Sequence, residues 1–454
     1  METVLEIIAA MRAAVPPGRE RLDEAELGRL AALTRSLVTA SAGADEEHAR
    51  FQAIRERDLA LPPTELGPWL EGRKILVTGG TGCVGSVLMS QLVAWRPRRL
   101  VSLSRGLTRG WPRLAAAEYA RVDVRDLPAL GSVVAEVRPD VLFHLAAQRD
   151  PGRAEREVHR TVTTNVLGAR NVIDAAERSG VPQVVYASTG KALRPYSPDV
   201  YAASKRAAEW VMSAAAARAG ARTRYSGARF THVVNNSLVY QRLLDWCADG
   251  VIRLYGAGIF FYAQSALESA RLLMGAGLGA RPGSFQVYAI TDLGCPVSLL
   301  DLALGVLRRT GSAAPVYFSG YEPGYEDVPF PGLYDPRTAG EVSPLLSAFE
   351  AARSGKALCG AADAFPLELA PDPELDKRLL ALEETCELTQ KPAAVRAALD
   401  ALSWSMLGAA LRVVPGPVLG RAAALAGPHR GRLSARQRRM LAAIEYHLGR
   451  PGPA

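Results

Sequence analysis

Three glycines that follow a short apolar run constrain this chain more than any other feature. Residues 75–77 are apolar, Gly79, Gly82 and Gly85 come next, and helical spacing of apolar residues follows. In such a turn the first glycine permits the tight bend, the second lets backbone N–H groups approach a pyrophosphate, and the third lets helix and strand pack closely. The helix N-terminus also favours anions. The stretch predicts a dinucleotide-binding turn, formed by Gly79, Gly82, Cys83, Val84 and Gly85.

Apolar runs and helical patterns alternate after this turn. The predicted strands are residues 75–77, 100–103, 141–145, 184–187, 223–230 and 285–289, and predicted helices include 128–137, 164–179 and 298–307. Strands that alternate with helices are typical of parallel βαβ units. The pattern predicts an α/β chain with an NAD(P)-binding Rossmann fold, in which a doubly wound parallel sheet carries helical N- and C-terminal extensions.

The adenosine end of the predicted site indicates which dinucleotide is bound. An acid after the second strand would bind the 2′-hydroxyl of NAD, whereas a nearby arginine accommodates the 2′-phosphate of NADP. Here the strand ends in Arg105 without an acid, so NADP is favoured over NAD. Asp123 and Val124 are placed to meet adenine. The backbone of the fourth strand must pass close to the cofactor at the small residues Leu145, Ala146 and Ala147.

Tyr201 and Lys205 are the predicted reactive pair. Four residues apart on a helix, they lie on one face. A free phenol has a pKa near 10, but an ammonium and an oxidised nicotinamide both favour phenolate, so we expect the pKa of Tyr201 to be lowered. Phenolate can then accept a hydroxyl proton while hydride leaves the same carbon. Thr189, at the end of the fifth strand, can hold the same oxygen. Lys191 and Lys205 are two of only six lysines among 54 basic residues, which suits a role that requires titration.

Changes in composition divide the chain into four predicted segments. Residues 1–70 form a helical accessory segment, and residues 71–310 form the catalytic domain, with the substrate part roughly at 225–345. Residues 311–371, rich in glycine and proline, form an irregular substrate loop and linker. Residues 372–454 form a helical C-terminal extension.

Charge and cysteine patterns exclude several other classes of function. The net charge is +8, but the arginines are scattered rather than gathered into one stripe, which argues against a nucleic-acid partner. Five cysteines without paired spacing predict no metal site. No N-terminal targeting signal and no membrane span are visible, so we expect a cytoplasmic protein with a small-molecule substrate, assembled as a homo-oligomer.

Five of these stretches resemble the extended short-chain dehydrogenase/reductases. They are residues 78–85, 144–147, 164–168, 188–192 and 201–205, and they are most similar to the polysaccharide-biosynthesis branch, with its UDP-N-acetylglucosamine 4,6-dehydratases and related epimerases. The resemblance spans about residues 73–330 and implies a tightly held nicotinamide cofactor. It also implies catalytic roles for Thr189, Tyr201 and Lys205, and it places Asn165 near the active site.

Departures from the branch bear on the substrate. The carboxylate that helps to remove water in its dehydratases is replaced by Gly190, and Asp199 is the candidate substitute. Glu322 stands where the branch has an arginine that meets the substrate diphosphate, and His232 replaces an asparagine. Arg149 keeps the charge of a family lysine, and Arg229 completes the tentative substrate set. His232 is equally consistent with a substrate ligand and with a structural histidine.

These observations predict an NAD(P)-dependent enzyme that acts on a sugar or sugar-like secondary alcohol or ketone, in the manner of nucleotide-sugar epimerases and dehydratases. Lys191 keeps deprotonation beside a transient ketone possible. One alternative is a net ketoreductase that acts on a specialised metabolite without a nucleotide. The other, from a different class, is a cofactor-bound scaffold without catalysis.

Overall fold

The computed structural model describes residues 3–106, 113–321, 332–333 and 341–449 of the chain. The strands are β1 Lys74–Thr78, β2 Arg99–Ser104, β3 Glu118–Arg121, β4 Val141–His144, β5 Gln183–Thr189, β6 Arg224–Phe230, β7 His232–Val233, β8 Ile252–Leu254, β9 Phe260–Phe261, β10 Ala263–Gln264, β11 Gln286–Ile290, β12 Val297–Ser298, β13 Val316–Phe318, β14 Gly355–Ala357 and β15 Ala362–Pro366. Within these ranges, no helix has both the length and the apolar character needed to cross a membrane.

The helices alternate with these strands through the middle of the chain. They are α1 Val4–Ala14, α2 Glu24–Ala40, α3 Ala44–Ala53, α4 Pro63–Leu70, α5 Cys83–Val93, α6 Leu127–Val137, α7 Pro151–Arg156, α8 Val158–Val162, α9 Gly168–Arg178, α10 Val200–Ala217, α11 Leu238–Asp249, α12 Ala266–Leu278, α13 Leu299–Thr310, α14 Ala348–Ala351, α15 Pro373–Leu388, α16 Pro392–Leu411, α17 Gly416–Ala426 and α18 Ala435–Leu448.

Nine strands form one sheet in the order β14-β15-β11-β6-β5-β4-β1-β2-β3. The seven strands from β11 to β3 pair in parallel, and β15 and β14 add an antiparallel edge. The chain leaves β1 towards β2 and β3 and returns to the other side of β1 with β4. The strand order therefore reverses beside β1, which is where doubly wound sheets bind ligands. The predicted α/β Rossmann architecture is confirmed.

Burial explains which strands the sequence predicts. Strands β4 and β5 are buried at every position, as expected where helices cover both faces of a parallel sheet, and they are near-continuous apolar runs. Strand β3 lies at the edge, has no buried residue and shows no apolar run. The antiparallel edge, β14 and β15, lies in the region that we predicted as an irregular linker.

The structure divides into two units, each described separately. The first comprises residues 3–58, 232–266 and 293–321, and it has one apolar core that includes Ile7, Leu30, Phe51, Leu304 and Tyr317. Helices α1 to α3 of the predicted N-terminal accessory segment therefore share a core with residues far along the chain, whereas α4 belongs to the second unit. The second unit comprises the nine-stranded sheet with its helices and the C-terminal helices α15 to α18. The four predicted segment boundaries stay a prediction.

Candidate active site

The glycine turn lies between β1 and α5, where the backbone leaves no space for side chains. Gly79 has φ +76°, and a Cβ there would lie 2.8 Å from the Ala146 nitrogen. A Cβ on Gly85 would lie 2.2 Å from the Gly79 carbonyl oxygen, so α5 packs directly on the turn. Gly82 precedes α5 without a side-chain cap. This bare helix N-terminus and its side-chain-free cradle fit a dinucleotide pyrophosphate.

Side chains around the turn are consistent with a binding role rather than a reactive one. Cys83 begins α5, and burial raises the pKa of its thiol to about 11, so it stays protonated. After β4, the backbone of Ala146 approaches the turn closely enough to exclude a larger residue at Gly79. The buried His144 ends β4 beside Thr78, with 2.7 Å between its Nδ1 and the Thr78 hydroxyl. Burial lowers the pKa of His144 to about 3, so the imidazole is neutral.

Basic side chains surround the end of β2. Partial desolvation and the nearby charge of Arg160 lower the pKa of Arg105, and Arg125 and Arg153 act in the same direction. Burial acts to raise the pKa of Asp123, but hydrogen bonds from Arg125 hold it below the ordinary value, and the two form an ion pair at 2.7 Å. The cluster around the predicted adenosine end therefore has more arginines than acids, with Asp123 paired to Arg125 and Glu157 paired to Arg153 at 2.7 Å and to Arg160 at 3.5 Å.

Asn165 joins the loop after β4 to the catalytic helix. It lies in a π-helical turn, Thr163–Leu167, between α8 and α9, and such turns often occur at functional sites. Its side-chain oxygen accepts from the Gln148 N–H, and its amide donates to the Gln148 carbonyl and to the Ser204 hydroxyl at 3.0 Å. The buried amide is thus used in holding two parts of the site together, and its contact with cofactor stays a prediction. Sequence reasoning did not find Gln148 or Ser204, because no local pattern links residues 17 and 39 positions from Asn165.

Thr189, Tyr201 and Lys205 come together at the carboxyl end of β5. Tyr201 and Lys205 lie in the first two turns of α10, and Thr189 ends β5. The Lys205 ammonium donates to the Ala187 carbonyl at 2.7 Å and lies 4.2 Å from the Tyr186 ring centroid. A hydrogen bond links Thr189 to Tyr201. The structure therefore brings the predicted reactive groups to the carboxyl ends of the parallel strands, where the glycine turn also lies.

The expected lowering of the Tyr201 pKa by an ammonium and an oxidised nicotinamide together stays a prediction, and burial acts in the opposite direction. Burial raises the pKa of Tyr201 to about 12, although the hydrogen bond with Thr189 acts in the opposite direction. Burial likewise lowers the pKa of Lys205 to about 7, although Glu209 favours the charged form. Removal from water therefore outweighs the hydrogen bond with Thr189 at Tyr201 and the attraction of Glu209 at Lys205. A phenolate here requires additional positive charge.

Lys191 and Asp199 lie beside the phenol. The Lys191 nitrogen is 3.9 Å from the Asp199 carboxylate and 5.9 Å from the Tyr201 ring centroid, and burial lowers its pKa. Asp199 is the N-cap of α10: its other oxygen accepts from the Ala202 N–H at 3.0 Å. The sequence-based suggestion that Asp199 replaces a missing catalytic acid thus competes with a structural role that the carboxylate already fills.

Leu345 occupies the space beside Gly190. A Cβ on Gly190 would lie 2.7 Å from Leu345 Cδ2, and both residues are buried. The position where the resembling dehydratases carry a carboxylate is therefore faced by an apolar side chain from the C-terminal part of the chain. A larger side chain at position 190 would require Leu345 to move.

Arg229 is not available to a substrate, which corrects its tentative assignment. Its side chain is fully buried and pairs with Glu209 at 2.8 Å and Glu350 at 2.7 Å, and it also donates to the Leu345 carbonyl. Burial acts to lower its pKa, but the two carboxylates raise the pKa above its ordinary value. The arginine holds β6, α10 and α14 together. Sequence reasoning could not find this network because Glu350 lies 121 residues from Arg229.

The other tentative substrate residues have different environments. Arg149 is exposed on the loop after β4, and its charge acts to lower the pKa of both Tyr201 and Cys83, so it lies near both. His232, in the first unit, is 2.6 Å from the Ser237 hydroxyl and has its ring 4.9 Å from that of Phe261. These contacts favour a structural histidine. Glu322 lies outside the described residues.

Comparisons with known proteins agree with this architecture. A family model described as polysaccharide biosynthesis protein matches residues 75–326. Similar curated proteins include the probable polysaccharide biosynthesis protein EpsC of Bacillus subtilis (25% identical; 64% of this chain, 51% of that protein) and the capsular polysaccharide biosynthesis protein CapD of Staphylococcus aureus (27%; 60% and 47%). A UDP-N-acetylglucosamine 4,6-dehydratase (inverting) of Campylobacter jejuni is 33% identical over 36% of this chain and 50% of its own length. The chain spans about half the length of these relatives.

Solved structures also share the fold. Pen from Bacillus thuringiensis superposes with a TM-score of 0.55 at 20% identity, covering 65% of this chain and 89% of that protein. The epimerase Mth375 from Methanothermobacter thermautotrophicus superposes with a TM-score of 0.50 at 21% identity, covering 57% and 83%.

Proposed function

The chain belongs to the polysaccharide biosynthesis protein family, and on this premise we propose that it is an NAD(P)-dependent enzyme that modifies a nucleotide sugar through transient oxidation of a secondary alcohol. The observation that carries the proposal is that Thr189, Tyr201 and Lys205 lie with the glycine turn at the carboxyl ends of the parallel strands. Relatives named as sugar dehydratases and epimerases support the substrate class.

The chain's own groups account for the proton movements. A bound NAD(P) supplies the hydride acceptor and, when oxidised, positive charge beside the phenol. Tyr201 then accepts the proton of the substrate hydroxyl, Thr189 holds that oxygen, and Lys205 stabilises the phenolate. Because burial raises the pKa of Tyr201, positive charge from the oxidised cofactor would favour its action as a base. Deprotonation is thereby coupled to cofactor binding.

We propose NADP as the preferred cofactor. Arg105 follows β2, and Arg160 and Arg153 lie close enough to affect its ionisation. A cluster of guanidinium groups favours a phosphate dianion over a hydroxyl. Comparing the dissociation constants of NADPH and NADH by fluorescence tests this preference, and equal constants would contradict it. Cytoplasmic location and a homo-oligomeric assembly stay predictions, which fractionation and light scattering test.

We propose that the reaction does not proceed to loss of water. A dehydratase needs an acid near the position of Gly190, and Leu345 faces that position. Asp199, the candidate substitute, already caps α10. Lys191 instead removes a proton from the carbon beside the transient ketone, and a solvent proton replaces it. Return of the hydride to the oxidised carbon then completes a turnover without net cofactor consumption, with the configuration inverted at one of these two carbons.

Incubation of the protein with NADP⁺ and UDP-N-acetylglucosamine in deuterated water, followed by mass spectrometry, tests this function. Deuterium at a sugar carbon, or inversion at the oxidised carbon without deuterium as resolved by NMR spectroscopy of the product, supports it when no water is lost, whereas a product lighter by one water shows a dehydratase. Stoichiometric consumption of NADPH with a carbonyl substrate indicates the ketoreductase instead. If neither pyridine nucleotide binds, the enzyme proposal fails.

Tyr201→Phe removes the phenolate and should abolish this turnover. The dissociation constant for NADP⁺ should change less than about twofold, because the cradle between β1 and α5 is untouched. A Phe variant with near-normal turnover would show that another group is the base.

A further inference from the structure

One face of helix α16, in the C-terminal extension, contacts residues next to the start of α10, the helix that contains Tyr201 and Lys205. Arg396, Asp400 and Trp404 are spaced by four residues along α16 and therefore lie in one row. Each contacts Tyr196 or Glu155. Tyr196 lies in the loop that precedes α10, and Glu155 binds the first residue of α10. The helix is thus bound to the active-site loop by a set of polar and aromatic contacts.

Tyr196 is the first point of attachment. It lies in the loop between Thr189 and Tyr201, and it is buried within an apolar cluster whose other described members all come from residues 333–444. Its hydroxyl donates to the Asp400 carboxylate at 2.5 Å, and its ring stacks on Trp404 at 4.0 Å between centroids. The part of this loop around Tyr196 is therefore held by α16.

Glu155 is the second point of attachment. It accepts from the Val200 N–H at 2.8 Å and forms an ion pair with Arg396 at 2.7 Å. Val200 is the first residue of α10, whose early N–H groups have no partner within the helix. Because Tyr201 comes next, the position of its side chain depends on how this helix terminus is held.

We propose that α16 positions the phenol of Tyr201, with Tyr196 and Asp400 as positioning residues. The inference rests on the proposed function in that Tyr201 is taken as the base. The α16 residues of these contacts, Arg396, Asp400 and Trp404, lie outside residues 75–326, so matching the family model does not imply the contacts. Displacement of a reacting group by about 1 Å can lower turnover by about a hundredfold, so loss of the attachment should reduce turnover strongly without removing cofactor affinity.

Variants of matched chemistry test the attachment. Tyr196→Phe removes the bond to Asp400 but keeps the stacked ring, and Asp400→Leu removes the acceptor. Asp400→Asn keeps an acceptor oxygen and should behave like the unmodified protein. Tyr225→Phe is the control, because the buried Tyr225 likewise donates to a carboxylate, that of Glu177 at 2.8 Å, near the opposite end of β6.

The readouts separate this inference from the proposed function. Hydrogen exchange of peptides that cover residues 197–206 needs no substrate, and it should become about tenfold faster in Tyr196→Phe and Asp400→Leu, as expected for loss of one hydrogen bond to a charged group. Solvent-deuterium incorporation into UDP-N-acetylglucosamine should fall by at least about tenfold, with the NADP⁺ dissociation constant unchanged within about twofold.

Exchange that stays unchanged in these two variants would overturn the inference. So would acceleration spread over the whole unit in Tyr225→Phe as well as in Tyr196→Phe, because the effect would then be general loss of stability. If the unmodified protein binds NADP⁺ but does not turn over the sugar, the proposed function fails, and the exchange result alone decides the attachment.

Discussion

Replacing Lys205 by methionine should stabilise the protein without cofactor while abolishing its activity. Lys205 is buried, and burial lowers its pKa from the ordinary 10.5 to about 7. Because the folded-state pKa lies below the unfolded-state value, the unfolded chain binds the proton more tightly, and stability rises with pH between these values. At about 1.4 kcal/mol per pH unit, the full cost of burying this lysine is about 5 kcal/mol below pH 7.

The predicted stabilisation by Lys205→Met depends on pH, and this dependence makes the test specific. At pH 7.5 the cost of holding Lys205 in the folded protein is about 4 kcal/mol, and at pH 9.5 it has fallen to about 1 kcal/mol. Lys205→Met removes this dependence, so its advantage in free energy of unfolding should shrink by about 2–3 kcal/mol over the interval. Loss of the bond to the Ala187 carbonyl lowers the advantage at both pH values but leaves the change between them.

Urea unfolding of both proteins without cofactor, at pH 7.5 and 9.5, measures this difference. The exposed Lys377→Met serves as the control for removing a lysine elsewhere in the same unit. An advantage of Lys205→Met that is the same at both pH values would refute the reasoning, because it would show that the buried amine is not held in a state different from that of the unfolded chain.

Three further predictions concern the cradle, the helix cap and the buried ion pairs. Gly85→Ala should weaken NADP⁺ binding by at least about tenfold, because its Cβ would lie 2.2 Å from the Gly79 carbonyl oxygen and α5 would have to shift. Gly131→Ala in α6, where the new Cβ meets open space, should leave binding unchanged. Calorimetric titration of both variants with NADP⁺ checks this. Asp199→Asn should leave turnover within about threefold, because asparagine caps helices as well as aspartate; a loss of elimination activity would identify Asp199 as an acid. Arg229→Met should lower the free energy of unfolding by about 3–5 kcal/mol, against less than about 1 kcal/mol for the partly exposed Arg99→Met, as measured by urea unfolding.

Local patterns predicted the fold and the centre of the site. The glycine turn and the Tyr201–Lys205 pair depend on neighbours within a strand, a turn or one helix, and the sequence displays such spacing directly. Central strands also appear as apolar runs, because helices cover them on both faces. The N-cap role of Asp199 was equally local, and an acid before a helical pattern is the usual sign of such a cap.

Contacts between distant parts of the chain were not predictable in this way. Arg229 follows the pattern of a substrate residue at the end of a strand, but its partners Glu209 and Glu350 are known only once the chain is folded. The raised pKa of Tyr201 has the same origin, since the sequence shows an ammonium nearby but not how completely the site is removed from water. Burial is a property of the whole fold, and it opposes the lowering that the sequence predicts.

Residues beyond 326 contact residues close to the reactive groups, so we expect them to influence which reaction the protein performs as well as its stability. The family model ends at residue 326, whereas Leu345 faces Gly190, Glu350 pairs with Arg229, and Asp400 binds the loop before Tyr201. Leu345, Glu350 and Asp400 follow the reactive groups in sequence, whereas the glycine turn precedes them. Similarity to a relative over residues 75–326 alone therefore does not show that the relative has these contacts. Similarity over residues 75–326 supports the proposed redox step, whereas the proposal that no water is lost rests on Leu345, which lies beyond those residues. Substitutions at Leu345 should consequently alter the product more than the affinity for cofactor, because that side chain lies at the position of the missing acid and not in the phosphate cradle.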